Sequence, residues 1–121
     1  MNKNRVDSWL LSAKEALKTT GIADKNGVIE KSYRGQISSF GAAIIMGSFK
    51  SAVAFFSEQG GASVERDKLL SAMYLIIFNE EKSAKQVLDY VCKNDTKELK
   101  NKFIDASIAI KLAMNFYELK A

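Results

Sequence analysis

The sequence predicts an all-α fold, a single compact bundle of about six helices. Three observations lead there. Apolar residues recur at three- and four-residue steps along almost the whole chain. Not one proline occurs among 121 residues, while seven glycines are available as stops, a composition at odds with a turn-rich β fold. The 47% hydrophobic and 26% charged residues are the balance of one ordinary folded domain. A chain of this length buries roughly two-thirds of its unfolded surface and needs neither metal nor disulfide to fold.

The elements follow in order. The first helix is expected from about Lys3 to Thr20, with Val6, Trp9, Leu10, Ala13, Ala16 and Leu17 on its apolar face and Gly21 as a left-handed stop. Asp24-Lys25-Asn26-Gly27 is the clearest turn signal. It could begin a hairpin, but Val28-Ile29 is short for a strand, so a loop is expected. The second helix runs from about Glu30 to Met46 with Tyr33, Ile37, Phe40 and Ala43 or Ile44 inward. Gly41 inside it costs about 1 kcal/mol against alanine, which suggests close approach of a neighbouring helix. After Gly47-Ser48 a third helix, Phe49 to Gln59, carries Ala52, Val53, Phe55 and Phe56 and stops at Gly60-Gly61. Ser63 can cap a fourth, through about Asn79, that is apolar nearly all round. Such a helix is central, or offers a face to a partner.

Ser83 to Lys93 forms the fifth helix, with Val87, Tyr90 and Val91 inward. Asp95-Thr96-Lys97-Glu98 has capping-box spacing with Asp95 as cap. The sixth helix would then continue for about 24 residues, on the order of 36 Å. Its stripe is Leu99, Phe103, Ala106, Ile110, Ala113 and Tyr117. A second row, Ile104, Ile108, Leu112 and Phe116, widens the apolar face beyond what one neighbour covers.

Composition also excludes chemistry. The chain has no histidine and a single cysteine, Cys92. Imidazole bases, histidine metal sites and intramolecular disulfides are therefore ruled out. Cys92 reads as a small buried hydrophobe, and Glu80-Glu81 as a solvated connection. No apolar run is long enough to span a bilayer, and the opening residues do not lead into a signal-peptide core, so a cytoplasmic protein is expected. Gly35, Gly41 and Gly47 do not form a phosphate-cradling loop. Phe55-Phe56 and Trp9 could stack on bases, although helical stripes usually bury such rings. Ile37 to Phe56 has a loose helix-turn-helix outline.

Basic groups remain. The net charge is +4, and the excess sits on residues 1–35 and 83–121. Lys14 and Lys18 lie one turn apart on the first helix, Lys31 and Arg34 open the second, and Lys50 opens the third. Each cluster alone reads as solvated surface; together they suit phosphate, because each neutralised phosphate releases counterions. Arg34 is the first choice, since a guanidinium grips phosphate with two hydrogen bonds. Its competing role is an ion pair with Glu30 at i, i+4.

The segment Tyr33-Arg34-Gly35-Gln36-Ile37-Ser38-Ser39-Phe40-Gly41-Ala42-Ala43-Ile44, followed by Gly47 to Phe56, resembles the small helical subunit of the Cmr effector complex, a type III-B CRISPR ribonucleoprotein. The Arg5-Val6 start with Ala13 and Ala16 fits the same pattern. The later helices match only as amphipathic helices, and the Asp24 to Ile29 loop and Gly60-Gly61 carry no family role. The resemblance implies a non-catalytic architectural subunit in antiviral defence. Several copies stack beside the backbone subunits that hold the CRISPR RNA and near the large polymerase-like subunit, helping to shape the target-RNA channel. It implies no cofactor, no metal, no small-molecule substrate and no membrane, and that basic side chains of the first three helices face RNA. Two other readings stand beside it: a DNA-binding regulator using the helix pair near residues 37–56, and a helical adaptor that contacts only protein.

Overall fold

The computed structural model describes residues 1–58 and 65–121. Its helices are α1 (Lys3–Ser8), α2 (Leu10–Thr19), α3 (Ser32–Met46), α4 (Phe49–Phe56), α5 (Arg66–Phe78), α6 (Ala84–Lys93) and α7 (Lys97–Ala113). A 3-10 turn, Met114–Phe116, follows α7. Two three-residue strands, β1 (Val28–Glu30) and β2 (Glu118–Lys120), are the remaining regular elements among the described residues. The fold is an all-α bundle whose long helices are the six expected. The expected stop at Gly60-Gly61 and the cap at Ser63 lie outside the described residues.

Helices α5 and α7 form the centre. α7 packs against α1, α2, α3 and α5, while α5 packs against α2, α3, α4, α6 and α7. That enclosure explains why α5 is apolar nearly all round: Leu69, Leu70, Ala72 and Met73 are all fully buried. The expected stripes hold, with Ala13, Ala16 and Leu17 of α2, Ile37 and Phe40 of α3, and Phe103, Ala106 and Ile110 of α7 all inward. Each large aliphatic or aromatic side chain so buried contributes about 1.5–3 kcal/mol. The second row of α7 is the uncovered one: Ile104 and Ile108 are half-buried, and Leu112 and Phe116 are exposed.

The first helix is broken at Trp9. Trp9 stays in the right-handed helical region at φ −94°, ψ −1°, but its N–H is shared between the Arg5 and Val6 carbonyls, and the Ser8 hydroxyl donates to the Arg5 carbonyl at 2.8 Å. The break lets α1 lie on α7. There Arg5 meets Asp105, a carboxylate only 2% exposed, through Nε at 2.9 Å and Nη2 at 2.7 Å.

Five further expectations are corrected. Val28-Ile29 is a strand, not part of a loop: β1 pairs in parallel with β2, Ile29 opposite Leu119 and Glu30 opposite Lys120. The last helix consequently ends at Ala113, about 26 Å long, because the residues after Phe116 are drawn out into β2. α3 begins at Ser32 instead of Glu30, since Glu30 belongs to β1 and the Lys31 N–H donates to the Lys120 carbonyl at 2.7 Å. The cap of α7 is Thr96, whose hydroxyl accepts from the Leu99 N–H at 3.1 Å; Asp95 instead faces Lys50. Cys92, finally, is exposed, because Val87 and Val91 take the inward face of α6.

The glycines divide by what their positions require. Gly21 and Gly27 adopt left-handed φ, as turn positions demand. At Gly41, however, an added Cβ would meet nothing within 4 Å, so the expected close helix approach is absent. A Cβ at Gly47 would lie 2.7 Å from the Ser51 Oγ, the group that accepts from the Ser48 N–H in the capping box of α4. Gly41→Ala should therefore stabilise by about 0.4–1 kcal/mol. Gly47→Ala should destabilise by about 1–2 kcal/mol through loss of the cap. Urea titrations of the two variants giving the same sign would contradict this packing.

Candidate nucleic-acid interface

The small strand pair organises the basic residues. Asp24 starts it: its carboxylate accepts from the Asn26 N–H at 2.8 Å and the Val28 N–H at 3.0 Å, and Gly27 turns the chain at φ +76°. β1 leaves this turn with Ile29 inward and Glu30 outward, and runs directly into the first turn of α3. Lys31 and Arg34 stand there. β2 lies alongside, and the residues leading into it reach α2. The Tyr117 hydroxyl donates to the Lys14 carbonyl at 2.7 Å, and the Lys14 ammonium sits 4.9 Å from the centre of the Phe116 ring. Burial pushes the Tyr117 hydroxyl above its ordinary pKa, with Glu15 adding to the effect. It therefore stays a proton donor to Lys14 through neutral and mildly alkaline pH.

Two of the five candidate residues, Lys14 and Lys31, are tied to this ribbon, and Lys18 and Arg34 stand one turn further along the same helices. Lys14 and Lys18 are on its α2 side, Lys31 and Arg34 on its α3 side, and Lys18 and Lys31 are exposed. Lys50 is elsewhere. It opens α4 beyond the far end of α3, about 22 Å of helix from Lys31, and its ammonium faces Asp95 at 3.9 Å.

The ion pairs of the described residues sharpen this division. They engage Arg5, Lys50, Arg66, Lys68, Lys82, Lys93 and Lys102. Among the described residues none engages Lys14, Lys18, Lys31 or Arg34. The Glu30–Arg34 pair is not formed, since Glu30 is strand and the i, i+4 geometry that would join them does not exist. Lys120 adds a basic group that sequence reading missed, because nothing local shows that residues 118–120 pair with a segment some 90 positions earlier. Within residues 24–34 and 118–120, Lys25, Lys31, Arg34 and Lys120 stand with Asp24, Glu30 and Glu118, and Asp24 is already committed to its turn.

The other candidate features separate cleanly. Phe56 is core, edge-on to Phe40 at 5.2 Å. Phe55 is half-exposed, with the Arg66 guanidinium 4.4 Å from its ring centre. Glu80 and Glu81 are both exposed, and Glu80 pairs with Lys82 at 3.0 Å. A groove of about 640 Å³ beside α6 brings Tyr74 and Tyr90 near Lys82, Lys85 and Lys93. Lys93 there is bound to Asp89 at 3.0 Å. Among the described residues no three histidine, cysteine or acidic side chains converge on a metal-sized site. No described helix is long and apolar enough to cross a membrane. No protein-family model matches the chain, and no curated protein or solved structure matches it.

Proposed function

We propose that this chain is a non-catalytic structural subunit of a type III-B CRISPR (Cmr) ribonucleoprotein, acting in the cytoplasm and contacting target RNA through phosphates. The resemblance of the Tyr33–Phe56 segment supplies the family. The observation that carries the RNA contact is a set of four basic residues, Lys14 and Lys31 tied to the ribbon and Lys18 and Arg34 one turn along the same helices, with no acidic partner in an ion pair among the described residues. Desolvating an already paired cation for phosphate would forfeit its existing partner; these four have no such pair to break. Side chains of this type in this arrangement grip phosphate and read no base, so binding is to the RNA backbone. The uncovered row of α7, with Leu112 exposed and Ile104 and Ile108 half-buried, leaves apolar surface for neighbouring subunits, including further copies of this chain.

A DNA-reading helix pair at residues 37–56 has less behind it. The second helix of that pair is eight residues long, its Ser51 hydroxyl is used in the cap, and its Lys50 faces Asp95. The test is a Lys31→Ala, Arg34→Ala double variant in the reconstituted complex. Target-RNA affinity should fall and the salt slope should flatten by about one unit for each phosphate no longer neutralised, with the thermal midpoint nearly unchanged. Unaltered affinity and slope in a fully assembled complex would remove these residues from the interface. Failure of the chain to join the backbone subunits at all would remove the family reading.

A further inference from the structure

We propose that the segment 116–120 is a clasp that holds the two basic pairs in one register, with Phe116, Tyr117 and the β2 backbone as its positioning groups. The inference rests on the phosphate reading of this face. α2 and α3 each pack on α7 and α5, and the chain between them is tied to both, the Ala23 N–H donating to the Leu17 carbonyl and the Asp24 N–H to the Val28 carbonyl, each at 2.9 Å; segment 116–120 adds a second tie between the two helices. On the α2 side it holds Lys14 twice, through the Phe116 ring and the Tyr117 hydroxyl. On the α3 side the Glu118 N–H donates to the Gly27 carbonyl at 3.0 Å and the Lys120 carbonyl accepts from the Lys31 N–H. That last bond serves the start of α3, whose capping position, Lys31, offers no side-chain hydrogen bond of its own.

The spacing follows from the clasp. Tyr117 and Lys120, the two ends of the clasp, are three residues apart, about 10 Å of extended chain. A single nucleic-acid strand can cross such a gap and meet both pairs. Without the clasp, β1 keeps only its antiparallel bridge, Ala23 opposite Ile29, and the Lys31 N–H at the start of α3 loses its acceptor. Lys31 and Arg34 would then move relative to Lys14 and Lys18. Phosphate would be gripped by one pair at a time.

Glu118 allows a charge-matched test. Glu118→Ala keeps the backbone N–H that donates to Gly27, whereas Glu118→Pro removes it, and both lack the same carboxylate. The full chain is titrated with a labelled single-stranded oligouridylate across a range of salt, and deuterium uptake is followed over residues 28–31. Glu118→Ala should bind at least as well as the parent and keep Lys31 protected. Glu118→Pro should expose the Lys31 amide, bind about tenfold more weakly than Glu118→Ala, and show a salt slope lower by about one unit. If Glu118→Pro unfolds the chain or leaves Lys31 protected, Tyr117→Phe, which removes the hydroxyl bond to the Lys14 carbonyl without changing charge, tests the other end of the clasp: binding and salt slope should both fall, and undiminished values overturn it. An exposed Lys31 amide with undiminished binding and slope overturns the clasp and leaves the phosphate reading standing. Absence of binding by the parent at low salt overturns the phosphate reading, and the clasp falls with it.

Discussion

Arg5→Ala should lower stability by about 3 kcal/mol, a fall of roughly 10 °C in the thermal midpoint for a domain of this length. Asp105 is 2% exposed, and both guanidinium contacts from Arg5 go to its Oδ2. Its Oδ1 has the Asn2 N–H at 3.3 Å. Removing Arg5 leaves a carboxylate in the interior with one long hydrogen bond, which is far costlier than losing an exposed ion pair. Arg5 itself is 26% exposed, which holds the expected effect to the lower end of the range for broken buried pairs. Its guanidinium also sits 5.5 Å from the Trp9 ring centre, so packing disappears along with charge. Replacing both partners, Arg5→Met with Asp105→Leu, should recover most of the stability, because an apolar pair has no desolvation to compensate. Calorimetry showing Arg5→Ala within 1 kcal/mol of the parent would mean that water reaches Asp105.

Phe56→Ala should be at least as severe, about 3–5 kcal/mol, while Phe55→Ala one position earlier should cost about 1 kcal/mol or less. Phe56 is fully buried and edge-on to Phe40, so truncation opens a cavity between α3 and α4 that neither helix can close without moving. Phe55 faces outward, and its truncation removes mainly the stacking of the Arg66 guanidinium above its ring. Denaturant midpoints of the two variants measure the contrast directly. Equal effects would mean that Phe55 anchors an interaction as important as the core.

How much of this is legible in the sequence differs between the scaffold and the site. The helices are readable because the 3.6-residue period is local. Leu17, Phe40, Met73 and Phe103 each sit on a stripe visible within a dozen residues, and all four are buried. Asn79 at φ 55° and Ser83 as a cap end and begin helices where short-range chemistry places them. The basic clusters are readable for the same reason.

What only the tertiary structure decided is everything that depends on residues distant in sequence. Val28-Ile29 is too short to persist as a strand alone; it becomes one because residues 118–120 supply its hydrogen-bond partners. That pairing ends α7 early, moves the start of α3 past Glu30, and so separates Arg34 from the acidic partner that helical spacing offered it. Arg5 likewise finds its partner, Asp105, a hundred residues away, and so ties α1 to α7. Local periodicity determined which faces of the chain would be buried. The pairing of distant backbone groups and of one buried charge determined which basic residues would stand together, because such pairs are stable only after the intervening chain has folded.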